Sequence, residues 1–390
     1  MAEERARVTV TALAPGGAGV AHVERDGERR AIFVERAAPG DVADVAVDFA
    51  TRPARASILS LVSPGAGRAE PPCAHAAACG GCDWMHLTAE AQADAHVAVV
   101  RAALPEAWRD VSLTHHPAPS RLRFRTRARV HVVASGKTIS VGMFSARSHE
   151  PITPSECVIL DPVVDSARLA LRAMLGEARA RGRGEAKLAL GHPSPPGAAE
   201  RRAVLDLAWE GDLPAPFFGA LERATGPGGV LAGARVRLPG AKRSLDVGDP
   251  TPWIVAADGV PLALAPGGFA QSSDLANAAL VRRVAELALP ASVPAGSALL
   301  ELYAGAGNLT VMLARAAKVT AWESDEEAAA AARENLRARG VAGKVTCKDA
   351  READVPEGTR VVVLDPPRAG AREVCETLAR RPPARVVYVS

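Results

Sequence analysis

No run of this 390-residue chain reaches the roughly 20 apolar residues that cross a bilayer. Its opening, MAEERARVTV, has no apolar core of signal-peptide length, so a cytoplasmic location is the expectation. An excess of one charge is also missing. Lys and Arg number 47 against 44 Asp and Glu, a formal net charge of +3. Bulk charge therefore does not announce a nucleic-acid partner, and local clustering has to. Cysteine is sparse and uneven, with three of six inside Cys73–Cys82. In a reducing compartment that crowding points to metal or redox chemistry over a disulfide framework. What is left, 48% hydrophobic and 23% charged residues, suits a globular protein with room for two or three domains.

The stretch that organises the chain is LLELYAGAGNLT, Leu299–Thr310. A short apolar run reaches Glu301, then a Gly-x-Gly turn, then LTVMLARA, which opens as a helix. Strand, glycine turn and helix in that order form a nucleotide-binding corner, because Gly305 and Gly307 leave no side chain between ligand and backbone. The dinucleotide fingerprint itself is not met, since Thr310 stands where its third glycine belongs. Three further strand ends carry acids. KVTAWE (318–323) ends in Glu323, about 20 residues past the turn, where a ribose hydroxyl pair is held. KVTCKDA (344–350) leads to Asp349, and RVVVLDPPR (360–368) to Asp365. One such acid is easily a cap; three beside one glycine turn are hard to place by chance.

The front of the chain is patterned differently. Residues 4–62 alternate apolar and polar side chains between Gly, Pro and Asp turns, as a small all-β barrel does. Cys73-x5-Cys79-x2-Cys82 follows in a Pro-, Gly- and Ala-rich loop that needs something to hold it. These thiolates can converge on one metal centre, with Cys157 the candidate fourth ligand. Zinc, with His75 or His86 substituting, and plain unliganded thiols are the competing readings. Residues 88–104 read as an amphipathic helix with Thr88 as N-cap. In RLRFRTRARVHV (121–132) arginines recur at 121, 123, 125, 127 and 129, so a strand would carry them on one face. Such a face is either simply solvated or, the favoured reading, relieved of its repulsion by an RNA backbone. Residues 160–260 suggest more β-structure, with Trp209 and Trp253 in the core.

GGFAQSS (267–273), ELYAGAGNLT, Glu323, the DPPR of 365–368 and the final VVYVS together resemble the RNA uracil-5-methyltransferase family. That family is class I and S-adenosylmethionine-dependent, and the likeness is to its bacterial 23S ribosomal RNA branch. GGAGVAH, FVERAAPGD and SILSLVSPG resemble a TRAM domain, an OB-like barrel that binds RNA. The resemblance implies a TRAM-like barrel over 1–62 and a mainly β central domain over 63–265 that holds an iron–sulfur site. It implies an α/β Rossmann-like methyltransferase domain over 266–390. A [4Fe–4S] cluster would sit on Cys73, Cys79, Cys82 and Cys157. Gln271 would lie beside cofactor and target base, Tyr303 near the adenosyl group, Asn308 at the methionine end and Glu323 on the ribose. Asp349 would sit by the adenine, and Asp365 at the junction of cofactor and uracil. Arg123, Arg125, Arg127 and Arg129 form the expected RNA-binding set, 23S rRNA the expected partner, and a monomer the working form. The family pattern Phe-x-Gln-x-Asn is met at Phe269 and Gln271 but departs at Ser273.

The implied reaction is methylation of uridine at C5, an atom too weakly nucleophilic to attack a methyl sulfonium unaided. The family adds a Cys thiolate to C6, which moves electron density to C5. C5 takes the methyl, a base removes the C5 proton, and the Cys is eliminated. The uridine has to leave its stack to enter the pocket. DPPR also separates this class from adenine-N6 and protein-glutamine methylases, which carry Asn-Pro-Pro-aromatic at that strand end. In the family the strand resembling RVVYVS runs directly into Cys-Asn-Pro, so the nucleophile is expected just after Ser390. Cys347 and Cys375 fall in other elements. On that expectation the chain as written is an enzyme without its last segment, transferring no methyl group. The alternative is a catalytically silent RNA- and S-adenosylmethionine-binding protein.

Overall fold

Alternation at the front of the chain does produce strands. The computed structural model describes residues 4–146, 148–194, 200–352 and 355–390. It divides into two compact units, Met1–Ala118 with Met143–Pro154 and Pro119–Gly142 with Ser155–Ser390. In the first unit six strands, β1 (Glu4–Thr9), β2 (Ala12–Leu13), β3 (Gly19–Arg25), β4 (Glu28–Val34), β5 (Val42–Asp48) and β6 (Arg55–Ser63), form one sheet in the order β1-β5-β6-β4-β3-β2. Their inward residues, among them Val8, Ala21, Ile32, Val45 and Ala56, meet in a single apolar cluster. Asp41, fully buried, ties this sheet to the cysteine-bearing segment. It accepts from the amides of Ala38 and Gly65 and from Arg68 at 2.5 Å. Helix α1 (Ala89–Ala103) then starts as expected at Thr88, whose hydroxyl accepts from the amide of Ala91.

The second unit begins with β7 (Arg127–Ser135) and β8 (Thr138–Gly142), then α2 (Pro162–Glu177), β9 (Arg181–Leu190), β10 (Ala203–Asp212), α3 (Ala215–Thr225), β11 (Leu231–Arg237) and β12 (Leu245–Gly248). The strands make a six-stranded sheet in the order β12-β11-β10-β9-β7-β8. Helices α2 and α3 pack on it, burying Leu171, Leu175, Phe217 and Leu221. Alternation alone did not pick out these two helices. Trp209 lies in the core at 1% exposure; Trp253 is half-buried, edge-on to His192 at 4.5 Å.

A hairpin of β13 (Trp253–Val255) and β14 (Pro261–Ala263) leads to α4 (Asp274–Ala288) and into the last sheet. That sheet is built from β15 (Ala298–Leu302), α5 (Thr310–Leu313), β16 (Lys318–Glu323), α6 (Glu326–Ala338), β17 (Lys344–Cys347), β18 (Val361–Leu364), α7 (Arg372–Arg380) and β19 (Arg385–Tyr388). All its strands run parallel, in the order β17-β16-β15-β18-β19. Short runs buried on both faces explain the unbroken apolar sequence of VVVL at β18. One face packs on Val281, Ala332 and Leu336, the other on Val374 and Leu378. The direction of winding reverses between β15 and β18, and a doubly wound sheet opens its ligand crevice at such a point. Among the described residues no helix is long and apolar enough to cross a membrane.

Candidate active site

The strands that lead to Glu301, Glu323, Asp349 and Asp365 run parallel, so their ends lie along one edge of the sheet. Gly305 adopts φ +55°, and a Cβ built on it meets nothing within 4 Å, so the turn leaves open space above its backbone. Gly307, at φ +85°, lies against Ala332 of α6, where a Cβ would stand 3.1 Å from the alanine methyl. The second glycine thus serves close packing and the first serves access. Glu323 braces the turn from the end of β16: Oε2 accepts from the Gly305 amide at 2.8 Å and Oε1 from the Asp325 amide at 2.8 Å. Asn308 forms a reciprocal amide pair with buried Asn277 of α4, at 2.8 and 3.1 Å. Tyr303 sits at φ +62°, an unusual conformation for a side chain of its size. Burial, with Asp349 nearby, pushes its hydroxyl above its ordinary value. Asp349 itself is half-buried, held low by Arg351, which it meets at 2.6 Å. Burial raises Asp365.

Three residues of this corner carry more than sequence reasoning gave them. Asn335 of α6 donates to the carbonyls of Ala263 at 2.8 Å and Ala306 at 2.9 Å, and accepts from the Ala263 amide. One buried side chain therefore holds the glycine turn to the β14 strand. Ser273, the departure from the family pattern, caps α4 by accepting from the Ala276 amide at 3.2 Å. Glu301 is 1% exposed on β15, with Thr310 as the polar side chain facing it and no ion-pair partner among the described residues. Burial, with Asp365 adding to it against the opposing pull of Thr310, raises it to about 8.

The loop bearing Gln271 is fastened from the neighbouring sheet. Lys187 donates to the Gly267 carbonyl at 2.6 Å, the Thr126 amide to the Ser272 carbonyl at 2.9 Å, and Arg127 to the Gln271 carbonyl. Arg127 also pairs with Asp274 at 2.6 Å, both side chains 11% exposed. This corrects the picture of five arginines on one strand face. The strand starts only at Arg127, because Arg123 takes a left-handed φ of +54° and its segment pairs with residues 158–160 instead. Arg123 meets Glu156, Arg125 is half-buried, and Arg129 reaches Glu185 at 2.5 Å with 66% of its side chain exposed. Arg127 is a structural ion pair.

Cys73, Cys79 and Cys82 belong to one compact unit and Cys157 to the other, and none of the four is in a disulfide. The Gly81 amide donates to Cys79 Sγ at 3.4 Å, and burial pushes the Cys157 thiol up. Among the described residues no three His, Cys, Asp or Glu side chains gather closely enough to hold a metal. Cys347 ends β17 and Cys375 lies in α7, both exposed.

A parallel sheet that reverses at β15, an open glycine turn braced by an acid at the next strand end, and Asp-Pro-Pro after β18 define a class I methyltransferase corner. S-adenosylmethionine fits this corner, because the Gly305 backbone is open. The methyltransferase small domain model matches residues 261–381, and the TRAM domain model residues 3–59. A 23S rRNA (uracil(1939)-C(5))-methyltransferase of Pectobacterium atrosepticum is 31% identical, over 98% of this chain and 84% of that protein. The protein of the same name from Chromohalobacter salexigens is also 31% identical, over 98% and 80%. The chain belongs to the RNA uracil-5-methyltransferase family, on its 23S rRNA branch. In fold it resembles the Pyrococcus abyssi tRNA (uracil-54, C5)-methyltransferase crystallised with S-adenosyl-L-homocysteine. The TM-score is 0.72 at 20% identity, over 98% of this chain and 89% of that one.

Proposed function

We propose that this protein methylates a uridine at C5 in 23S rRNA, taking the methyl group from S-adenosylmethionine. The observation that carries the proposal is the open Gly305 turn braced by Glu323, in a chain whose relatives along its whole length are named for that reaction. Glu323 takes the ribose hydroxyls, Asn308 the methionine end, Tyr303 the adenosyl group and Asp349 the adenine. Asp365 and Gln271 orient the uracil where it meets the cofactor. A TRAM-like part over 1–62 and exposed guanidiniums such as Arg123 and Arg129 hold the RNA backbone, around a central part over 63–265 and a catalytic part from 266 onward. The protein works as a cytoplasmic monomer. The experiment is incubation of protein from the full reading frame with an rRNA fragment carrying 5-fluorouridine and the cofactor. Because fluorine at C5 cannot leave as a proton, a covalent protein–RNA adduct is expected. An intact cofactor–protein–RNA mixture without adduct contradicts covalent methylation and favours a silent RNA- and cofactor-binding protein.

The [4Fe–4S] cluster on Cys73, Cys79, Cys82 and Cys157 rests on ligand spacing and family resemblance alone, and it requires the thiols to gather. Anaerobic purification should give brown protein with about four irons per chain if they do. Colourless protein with stoichiometric zinc removes the cluster.

A further inference from the structure

Five residues stand in register across the large sheet of the second unit: Arg129 of β7, Lys187 of β9, Asp206 of β10, Arg235 of β11 and Asp246 of β12. Residues paired in register share a face of the sheet, so these form one row of charges. Its arginines face carboxylates: Arg129 meets Glu185 at 2.5 Å and Arg235 meets Asp246 at 2.9 Å. Asp206, 5% exposed, meets Arg237 at 2.7 Å. Lys187 does something else. Half-buried, it donates to the backbone carbonyl of Gly267 at 2.6 Å, four residues before Gln271. Beside it, Asp206 is the floor on which Gly267 rests. Gly267 has φ +72°, and a Cβ built on it would overlap Asp206 Oδ2 and stand 3.8 Å from Lys187 Nζ. A left-handed backbone and the want of room over the carboxylate both require glycine here.

The far end of the same loop is held by Arg127 of β7 at the Gln271 carbonyl and by Thr126 at the Ser272 carbonyl. Strands β7 and β9 are direct neighbours, so the loop hangs across two rungs of one rigid ladder. All three fastenings are to backbone carbonyls, and Phe269 between them is 81% exposed. We propose that Lys187 and Asp206 are positioning residues for methyl transfer. The ammonium holds the loop down on the sheet and the carboxylate limits how far it descends. Together they set the height at which Gln271 meets the uracil. The inference rests on the reading of Gln271 given above and deepens it. It also gives Lys187 a backbone partner, although it shares a row with Arg129, which is assigned to RNA. A shift of about 1 Å in a positioning group costs up to about 100-fold in rate. Loss of Lys187 should therefore appear in kcat, whereas loss of a phosphate contact appears in RNA affinity and its salt dependence.

The test uses protein from the full reading frame, an unmodified 23S rRNA fragment and methyl-labelled S-adenosylmethionine. Lys187→Met should lower kcat by about 10- to 100-fold, with KM for RNA and the salt slope of RNA binding unchanged. Lys187→Arg, which restores a charged donor, should recover most of that loss. An unchanged kcat in Lys187→Met, or a salt slope reduced by roughly 0.7, the mark of one lost phosphate contact, overturns the proposal. A second pair of variants serves should Lys187→Met not fold. Gly267→Ala should be slowed by a similar factor, and adding Asp206→Ala should recover about tenfold or more, because the overlap is gone. No recovery overturns the part assigned to Asp206. If wild type itself transfers no methyl group, the proposed function fails, and hydrogen exchange then judges the loop seat alone. The Gly268 amide, bonded to the Ala265 carbonyl at 2.8 Å, should exchange about tenfold faster or more in Lys187→Met. An unchanged rate overturns the seat.

Discussion

Replacing Arg127 with Met should unfasten the loop that carries Gln271. The substitution removes the guanidinium from Asp274, which is 11% exposed, and leaves its carboxylate with the Thr126 hydroxyl at 2.7 Å and Arg201 at 3.8 Å. Breaking a buried pair from one side costs about 3–5 kcal/mol, since the abandoned charge stays desolvated. The surviving hydroxyl and Arg201 keep part of the compensation, so a loss of about 3 kcal/mol is expected. Hydrogen exchange at the amides of β7 and at Thr126, which pairs with Ser272, reads this locally, without assuming that the whole chain unfolds in one step. The cycle with Asp274→Asn should show a coupling of about 2 kcal/mol or more. A coupling below about 1 kcal/mol, the range of exposed pairs, would refute the structural role. So would a fall in the salt dependence of RNA binding in Arg127→Met, because a guanidinium buried on Asp274 has no phosphate to lose.

Arg123→Ala with Arg129→Ala should, by contrast, flatten the salt dependence of single-stranded RNA binding by roughly 0.7 for each phosphate no longer neutralised, with an unchanged slope returning them to a solvated surface. Asp41→Asn should destabilise the N-terminal sheet by about 3 kcal/mol, measured by urea unfolding of wild type and variant. Burial alone would raise Asp41, but Arg68 and the amides of Gly65 and Ala38 outweigh it and hold it below the usual range. Its stabilisation is therefore whole above the unfolded value of roughly 3.9 and lost as pH falls through the folded one, so the variant should lack that part of the acid transition. Glu323→Gln should weaken S-adenosylmethionine binding by about 1–3 kcal/mol in calorimetry, and equal affinities would remove Glu323 from the site.

The parts of the site that could be read from sequence are those whose signal is local. A glycine turn between a strand and a helix, and acids at strand ends, announce themselves within a dozen residues. Asn335 does not, because its partners Ala263 and Ala306 lie 72 and 29 residues away. Glu301 was visible as a strand-end acid, but its burial depends on what Ala321, Val363 and Asp365 bring from other strands. The arginine run shows the opposite failure. Period two is necessary for a one-sided strand but not sufficient, and the left-handed φ at Arg123 ends the pattern two residues before Arg125. Helix α2 carried a legible signal in Val164, Ala167, Leu171, Met174 and Leu175, spaced three and four apart behind Asp161 and Pro162. Its helical period was masked by the alternating segments on either side.

Methyl transfer itself tests the central claim most directly. Protein from the full reading frame, given methyl-labelled S-adenosylmethionine and unmodified 23S rRNA, should place label in 5-methyluridine at a single position. Label on another base or on another atom of uridine, or none while both ligands are bound, would contradict it.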